Sequence, residues 1–577
     1  MGKKYWVVGL TAVPLLVGSF PQTSFGQTSP APSRNELELP DVVDPGDQNI
    51  DFQIDRNAEV RENCPFDNSS LTTNLTGVEF IDVHSGQLDA NISAALGSIS
   101  VPLGTQPLSV VCDIRDQANA ELRKAGWIAT VQIPQQELVN VLSLNVITSR
   151  ISEVRIAGDT GPYREYLTEK IAVLTSFDPL NEKDVEGVLL GVNDVPGLSV
   201  KLGLAPSEGG AGNLVGNLSV TFDKFKGYTN VRNYNPSRIG RETGYSLAQF
   251  YGLTGLRDVS YLGFQATTDF QEQLIFQAGH EFALPNRKSR IGLDATYAIS
   301  EPDIDGLGFE TDAFIANLFI NYPLARSLRF NADAELRFEY ADQATKVDGF
   351  DLSEDALRSL VLKGRLRGQG LEIGGRSRLF YDTNLELRQG LDIFGATSSE
   401  DNGIARTGDV SASRPFGESD ALVVRAGANL YMPFNEYIGV SANLEGQWTD
   451  NALLNYDEYS IGNLSIGRGY DPGANSGDRA IGSAFELIFT PYNANENKLE
   501  LFGFYDVVSV ENLDFGTPEP VSTLESIGGG IRYYFGNNIK AEVTYASPQD
   551  RALFTDETTP PDRVLLSLTT QFSNLLR

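Results

Sequence analysis

The stretch LRFNADAELRFEY, residues 328–340, alternates without a break. In an extended chain Leu328, Phe330, Ala332, Ala334, Leu336, Phe338 and Tyr340 share one face. Arg329, Asn331, Asp333, Glu335, Arg337 and Glu339 share the other. The segments LVVRAGANLYM (422–432) and IGVSANLEGQW (438–448) follow the same rule. A strand with one apolar and one charged face has two homes. It belongs to a soluble sandwich, with the apolar face on a second sheet, or to a membrane barrel, with that face on lipid and the charged face on a wet lumen. Strands of this length exceed the usual ~5–6 residues and reach the ~9–11 that a tilted strand needs to cross a bilayer. Aromatic residues gather at strand ends, as in Phe338 with Tyr340 and Tyr431 with Phe434 and Tyr437, where an interfacial girdle would sit. The barrel is the better reading.

From residue 226 to 577 the helical periodicity stops and sixteen such strands can be counted. An even number suits a bacterial single-chain barrel. Upstream the pattern differs. Residues 75–149 read strand, helix, helix, strand, strand, the clearer helix being DIRDQANAELRKAGW with Gly126 as its stop. Residues 150–225 repeat the order, with helices in YREYLTEKIAVL and NEKDVEGVLLGV and a stop at Pro196-Gly197. The expectation is an α+β repeat followed by an all-β, sixteen-stranded antiparallel transmembrane barrel.

The N-terminus places this barrel in a compartment. Lys3 and Lys4 precede a 15-residue apolar run, Trp6 to Phe20, and Gly26 lies just beyond. That is the layout of a secretory signal peptide over residues 1–26. Residues 27–74 are rich in proline and acid and read as a linker, a spacer without a site. Within it Pro40 and Pro45 make 36–49 a poor helix. Lys+Arg 45 against Asp+Glu 76 gives a charge of −31, which opposes nucleic acid and anionic surfaces as partners. There are two cysteines, Cys64 and Cys112, and in an exported chain they are expected to form one disulfide. The two histidines, His84 and His280, stand apart, and His280 has no evident serine partner. No metal site, no cofactor, no nucleotide motif and no enzyme activity is expected.

With this architecture in place, several segments resemble one family: the outer-membrane transporters of two-partner secretion, of the hemolysin-activator or TpsB type. The repeated small units resemble POTRA domains. AGWIATVQIPQQEL with LSLNVITSRISEVRIAG, VNDVPGLSVKLGLAP, and GYTNVRNYNPSRIGRETG at the start of the barrel are similar to family segments. RGYDPGANSGDRA (468–480) is similar to the family's loop motif of Arg-Gly-Tyr/Phe followed by Gly-Asp-Arg-Gly, departing from it at Ala480. The family's Gly-x-Gly-Asp after the second barrel strand is GLRD (255–258) here.

The resemblance implies export of an unfolded, hemolysin- or adhesin-like partner protein through a barrel in the outer membrane of a Gram-negative-type bacterium, with the POTRA domains in the periplasm. A barrel insertase of the BAM type and a diffusion porin with adaptor domains are the alternatives. The resemblance also implies a loop, 450–479, folded into the lumen and carrying Gly467, Arg468, Gly469, Tyr470, Gly477, Asp478 and Arg479. Arg468 would bridge to the wall aspartate Asp506, which lies on the charged phase of KLELFGFYDVVSV. Glycines 467, 469, 473 and 477 would let this loop turn at positive φ. The second unit's helix and following strand, with Val185, Val188, Leu189, Ser199 and Lys201, are the candidates for holding cargo by strand addition. Some relatives plug the pore with an N-terminal helix, which the prolines here make unexpected.

Overall fold

The computed structural model describes residues 31–38, 53–54, 64–137, 140–284, 288–304, 306–373, 376–399, 404–514 and 520–573. The proposed signal peptide lies outside them.

Sixteen antiparallel strands close into a barrel. They run from Phe225–Arg232 to Arg563–Ser573, and those two pair with each other from Lys226↔Ser573 to Arg232↔Ser567. The opening stretch lies in the strand Phe330–Val347, whose neighbours are Leu307–Arg326 and Phe350–Ile373. The predicted faces are real: Leu336 is 45 % exposed on the outside, whereas Glu339 is 3 % exposed on the inside. Along the other strands Leu318, Leu360, Leu362, Leu385 and Leu487 likewise point outward. Among the described residues no helix is long and apolar enough to cross a membrane. The crossing is made by strands, closed into a barrel so that every backbone group is paired in lipid.

Two α/β units precede the barrel. In the first, Gly77–Asp82 pairs in parallel with Val141–Thr148, which pairs antiparallel with Ala129–Gln132. The helices Ala90–Leu96 and Val110–Lys124 cover this sheet. Val111, Ile114, Ala118 and Leu122 lie on one helical face and meet Leu142, Leu144 and Val146 in the core. The second unit repeats this arrangement: Arg150–Gly158 is parallel to Asn213–Phe222, which pairs antiparallel with Leu198–Pro206. Helices Arg164–Leu174 and Glu182–Asn193 cover it. A disulfide joins Cys64 to Cys112, at a Cα separation of 5.8 Å. It ties the segment before the first unit to that unit's long helix.

The units are fastened at both junctions. Between them, Ile128 N–H donates to Leu180 O (3.1 Å) and Glu182 N–H to Gly126 O (2.8 Å). Gly126 has φ +84, and a Cβ there would stand 3.0 Å from Asn181 Oδ1. The second unit meets the barrel rim through Arg326 and Asp194 (2.9 Å), and through Leu328 N–H donating to Glu186 (2.6 Å).

Two expectations about the segment 27–74 are corrected. It is not a bare spacer: residues 31–38 lie inside the barrel, with one helical turn at Arg34–Leu37. Gln53–Ile54 add a short parallel strand to Leu198–Pro206 at Gly203 and Leu204. Propensity could not have predicted the turn, because four residues do not stabilise a helix by themselves. Contacts with the wall hold it.

Candidate functional site

The lumen is occupied by two segments of the chain itself. The first is the N-terminal segment. Arg34 donates to Glu339 on the wall (3.1 Å) and to Asp457 of the long loop (2.9 Å), and its guanidinium lies 4.3 Å from the centre of the Tyr456 ring. Gln277 and Gln343 side chains donate to the carbonyls of Leu37 (2.9 Å) and Pro32 (3.0 Å). Leu37 is buried against Ile275, Ile315, Leu357 and Leu454. Arg388 also reaches Glu339 (2.7 Å) and Asp457 (3.0 Å). Arg34, Arg388, Glu339 and Asp457 thus each meet an opposite charge, as a low-dielectric site requires.

The second segment is the loop between the strands Ile438–Trp448 and Arg479–Ala494. It folds on itself as a small hairpin, Tyr459–Ile461 against Asn475–Gly477. At its tip Arg468 meets the wall. Its amide N–H and Nε donate to Asp506 Oδ2 (3.0 and 2.9 Å), and Nη2 donates to Oδ1 (2.5 Å). Its other terminal nitrogen pairs with Glu486, and the guanidinium lies 3.7 Å from the centre of the Phe504 ring. Glu486 is shared with Arg532, which sits 3.9 Å from the centre of the Phe502 ring. Asp506 is almost fully buried.

Neighbouring motif residues extend this lock. The buried Tyr470 hydroxyl donates to Glu525 O (2.9 Å) and accepts from Asp550 N–H (3.0 Å). Arg563 of the closing strand donates to Tyr470 O (2.6 Å). Asp478 receives Arg414 (2.5 Å) and the backbone N–H groups of Leu453 and Leu513 (2.7 Å each). Arg479 donates to Thr449 O (2.6 Å) and pairs with Glu511 (3.2 Å). Gly467 and Gly473 have φ of +117 and +67, which glycine alone adopts readily.

Gly469 and Gly477 have no positive φ, contrary to expectation, and serve closeness instead. A Cβ on Gly469 would stand 2.8 Å from Pro548 N, and one on Gly477 2.8 Å from the Val510 side chain. Sequence reading also missed Gly528 and Gly530. They share the inward phase of Val521–Phe535 with Ser526 and Arg532, and a Cβ on either would stand 2.6 Å from the Phe504 or Phe502 ring. The two rings lie across these glycines and form the floor under Arg468 and Arg532. The run IGGGIR was the available signal, but it takes the register with the neighbouring strand to read it.

The cargo candidates divide. Val185 and Leu189 are buried in the second unit's core and closed to a partner, whereas Val188 packs against that core but stays partly exposed on the cavity facing the barrel. The helix turns that face to its own sheet, as amphipathic spacing requires. Ser199 and Lys201 are exposed. His280 is also corrected: its Nδ1 lies 2.8 Å from Ser260 Oγ on the paired strand. Both belong to the outward phase of Leu262 and Phe276, and no group of His, Cys, Asp and Glu able to hold a metal occurs among the described residues.

Residues 223–514, just over half of the chain, match the family described as haemolysin secretion/activation protein ShlB/FhaC/HecB. A search of curated proteins returned no match. Among solved structures, CdiB from Escherichia coli superposes with a TM-score of 0.67 at 16% identity, covering 88% of this chain and 92% of that one. CdiB from Acinetobacter baumannii gives 0.59 at 14% identity, covering 87% and 90%. BamA from Haemophilus ducreyi lacking POTRA domains 1-3 gives 0.50 at 12% identity, covering 86% and 100%.

Proposed function

The chain belongs to the haemolysin secretion/activation protein family ShlB/FhaC/HecB, and is thus a TpsB-type outer-membrane transporter with a periplasmic N-terminal region; from that premise we propose that it exports one unfolded partner polypeptide, a hemolysin- or adhesin-like exoprotein, through its barrel. The observation that carries this reading is the filling of the lumen. Two segments, 31–38 and the loop tipped by Arg468, occupy it through side-chain contacts, whereas the wall is closed by continuous backbone pairing. The wall resists opening, and the filling can move. A barrel of sixteen strands cleared of it is wide enough for an extended chain.

The two fillings share Asp457, so withdrawal of the N-terminal segment removes a partner from the loop. We assign residues 75–149 and 150–225 as periplasmic POTRA domains that receive the partner. The edge of Leu198–Pro206 takes Gln53–Ile54 as an added parallel strand, so a partner entering by strand addition, in which backbone pairing is largely indifferent to sequence, would extend or displace that short pairing beside the exposed Ser199 and Lys201. Deleting residues 75–222 should leave a heat-modifiable barrel in the membrane and abolish surface appearance of the partner. Secretion at the undeleted level would refute the assignment.

A further inference from the structure

A cavity of about 1030 Å³ lies between the helices of the second unit and the periplasmic mouth of the barrel. Its charge runs against that of the chain. The whole protein has 45 Lys and Arg against 76 Asp and Glu, whereas the cavity is lined by ten basic and six acidic residues. Four of those acids are already paired with arginines: Asp194 and Asp333 with Arg326, Glu335 with Arg337, and Glu281 with Arg290. Lys183, Lys288 and Lys363 line the cavity with no carboxylate at ion-pair distance among the described residues, although Lys363 lies opposite Glu386 on the paired strand. The field in the cavity is therefore positive.

The arrangement is directional as well. Lys363, Arg365 and Arg367 take successive inward positions on one strand, while Leu362 and Leu366 point outward. Arg365 is paired with Asp382 and Arg367 shares Asp333, so each offers a passing carboxylate only its remaining N–H groups, and Lys363 carries the least compensated charge of the three. Alternate residues of a strand are spaced about 6.6–6.8 Å apart. An extended polypeptide passing along this wall presents its own alternate side chains at the same interval. Resting on the export reading above, we propose that this vestibule receives the partner as an extended segment carrying acidic side chains at alternate positions, and holds it electrostatically between the second unit and the lumen. An anionic lipid headgroup fits less well, because the ladder faces the lumen and the apolar residues between its members face the lipid.

The test uses the full chain in nanodiscs and three synthetic twenty-residue unstructured peptides with Asp, Asn or Lys at alternate positions. Fluorescence anisotropy should show the Asp peptide binding about tenfold tighter than the Asn peptide at low ionic strength, with the advantage gone near 0.5 M salt. The Lys peptide should not bind. The triple variant Lys183→Glu/Lys288→Glu/Lys363→Glu should lose the preference, and the Gln triple should lose most of it. Heat-modifiability of each variant reports that the barrel has folded. These lysines hold no ion pair, so the fold has little to lose. Equal binding of the three peptides would overturn the proposal, as would a preference unchanged in both triples. A preference seen in zwitterionic nanodiscs but abolished by anionic lipid at the same ionic strength would assign the charges to headgroups and overturn it too. If the proposal fails while deletion of 75–222 still abolishes secretion, the transporter reading stands alone. If that deletion leaves secretion intact, the transporter reading fails whatever the peptides do.

Discussion

Arg468 is held from three sides, by Asp506, by Glu486 and by the face of Phe504. Removing a buried partner leaves the other charge stranded, at a cost of about 3–5 kcal/mol in a dry interior and less in a wet lumen. That cost falls on the loop and leaves the backbone ladder of the wall untouched. Arg468→Ala and Asp506→Ala should each reduce partner secretion strongly while heat-modifiable folding persists. The double variant should be no worse than the more severe single variant, because one shared contact is lost once. Simple addition of the two defects in a secretion assay would refute this. Gly528 gives an independent handle on the same site. Gly528→Ala places a methyl 2.6 Å from the Phe504 ring and 2.0 Å from Tyr545 O. The Tyr545 strand must shift as well as the ring, at upward of about 1–3 kcal/mol, so heat-modifiability has to be checked beside secretion, and Arg468 loses its floor although neither charge has changed. Secretion should fall toward the Arg468→Ala level, and an unchanged level would mean that the ring is incidental. Arg468 and Asp506 were readable because a motif and a strand phase marked them. Gly528 was not, since its role exists only through its register with Phe504.

Among the elements, strands were the most legible. Lipid outside and water inside impose a period of two on every crossing segment, so predicted and observed strands agree to within a few residues over most of the barrel. The widest departures are Leu307–Arg326, Phe330–Val347 and Phe350–Ile373, which run on well beyond the bilayer requirement. The turn Arg34–Leu37 was not legible, because its stability is entirely tertiary. In the first periplasmic unit, the end of the strand Gly77–Asp82 depends on one carboxylate. Asp82 accepts from the N–H groups of His84 (2.9 Å) and Ser85 (2.7 Å) and from the hydroxyls of Ser85 (3.0 Å) and Thr148 (2.9 Å). Burial pushes its pKa up, but these bonds outweigh it and hold the group below the ordinary carboxylate value. A depressed folded value means that its stabilisation is complete above the unfolded value, near 4, and is lost as pH falls through the folded value. Protection against hydrogen exchange across Gly77–Asp82, taken relative to the intrinsic rate at each pH, should therefore fall on the acid side. Asp82→Asn should flatten that acid limb and lower protection at pH 7 by about 1–2 kcal/mol. A strand whose exchange showed the same acid limb in both proteins would refute the role given to Asp82.

At the scale of the molecule, the disulfide and the N-terminal segment jointly set a length. Cys64 is bound to the first unit, Glu38 lies at the end of the segment in the lumen, and 25 residues lie between them, of which Gln53 and Ile54 are paired with Gly203 and Leu204 of the second unit. At about 3.3–3.6 Å per residue that is a leash of at most about 50 Å while Gln53–Ile54 stays paired, and about 90 Å once it is released. A segment released from Glu339 and Asp457 thus remains beside the pore mouth at an effective concentration on the order of millimolar. Its return is first order and does not depend on how many transporters the membrane holds. A protease site placed between residues 39 and 52, ahead of the pairing of Gln53–Ile54, would break none of the contacts described in the barrel, yet after cleavage each departure should be permanent. In a planar bilayer, the intact protein should give brief openings that close again. The cut protein should step to a conducting state that survives washing and is reversed only by adding back a peptide of residues 27–38. Continued spontaneous reclosure after the wash would show that the pore is shut by something other than its own tethered end.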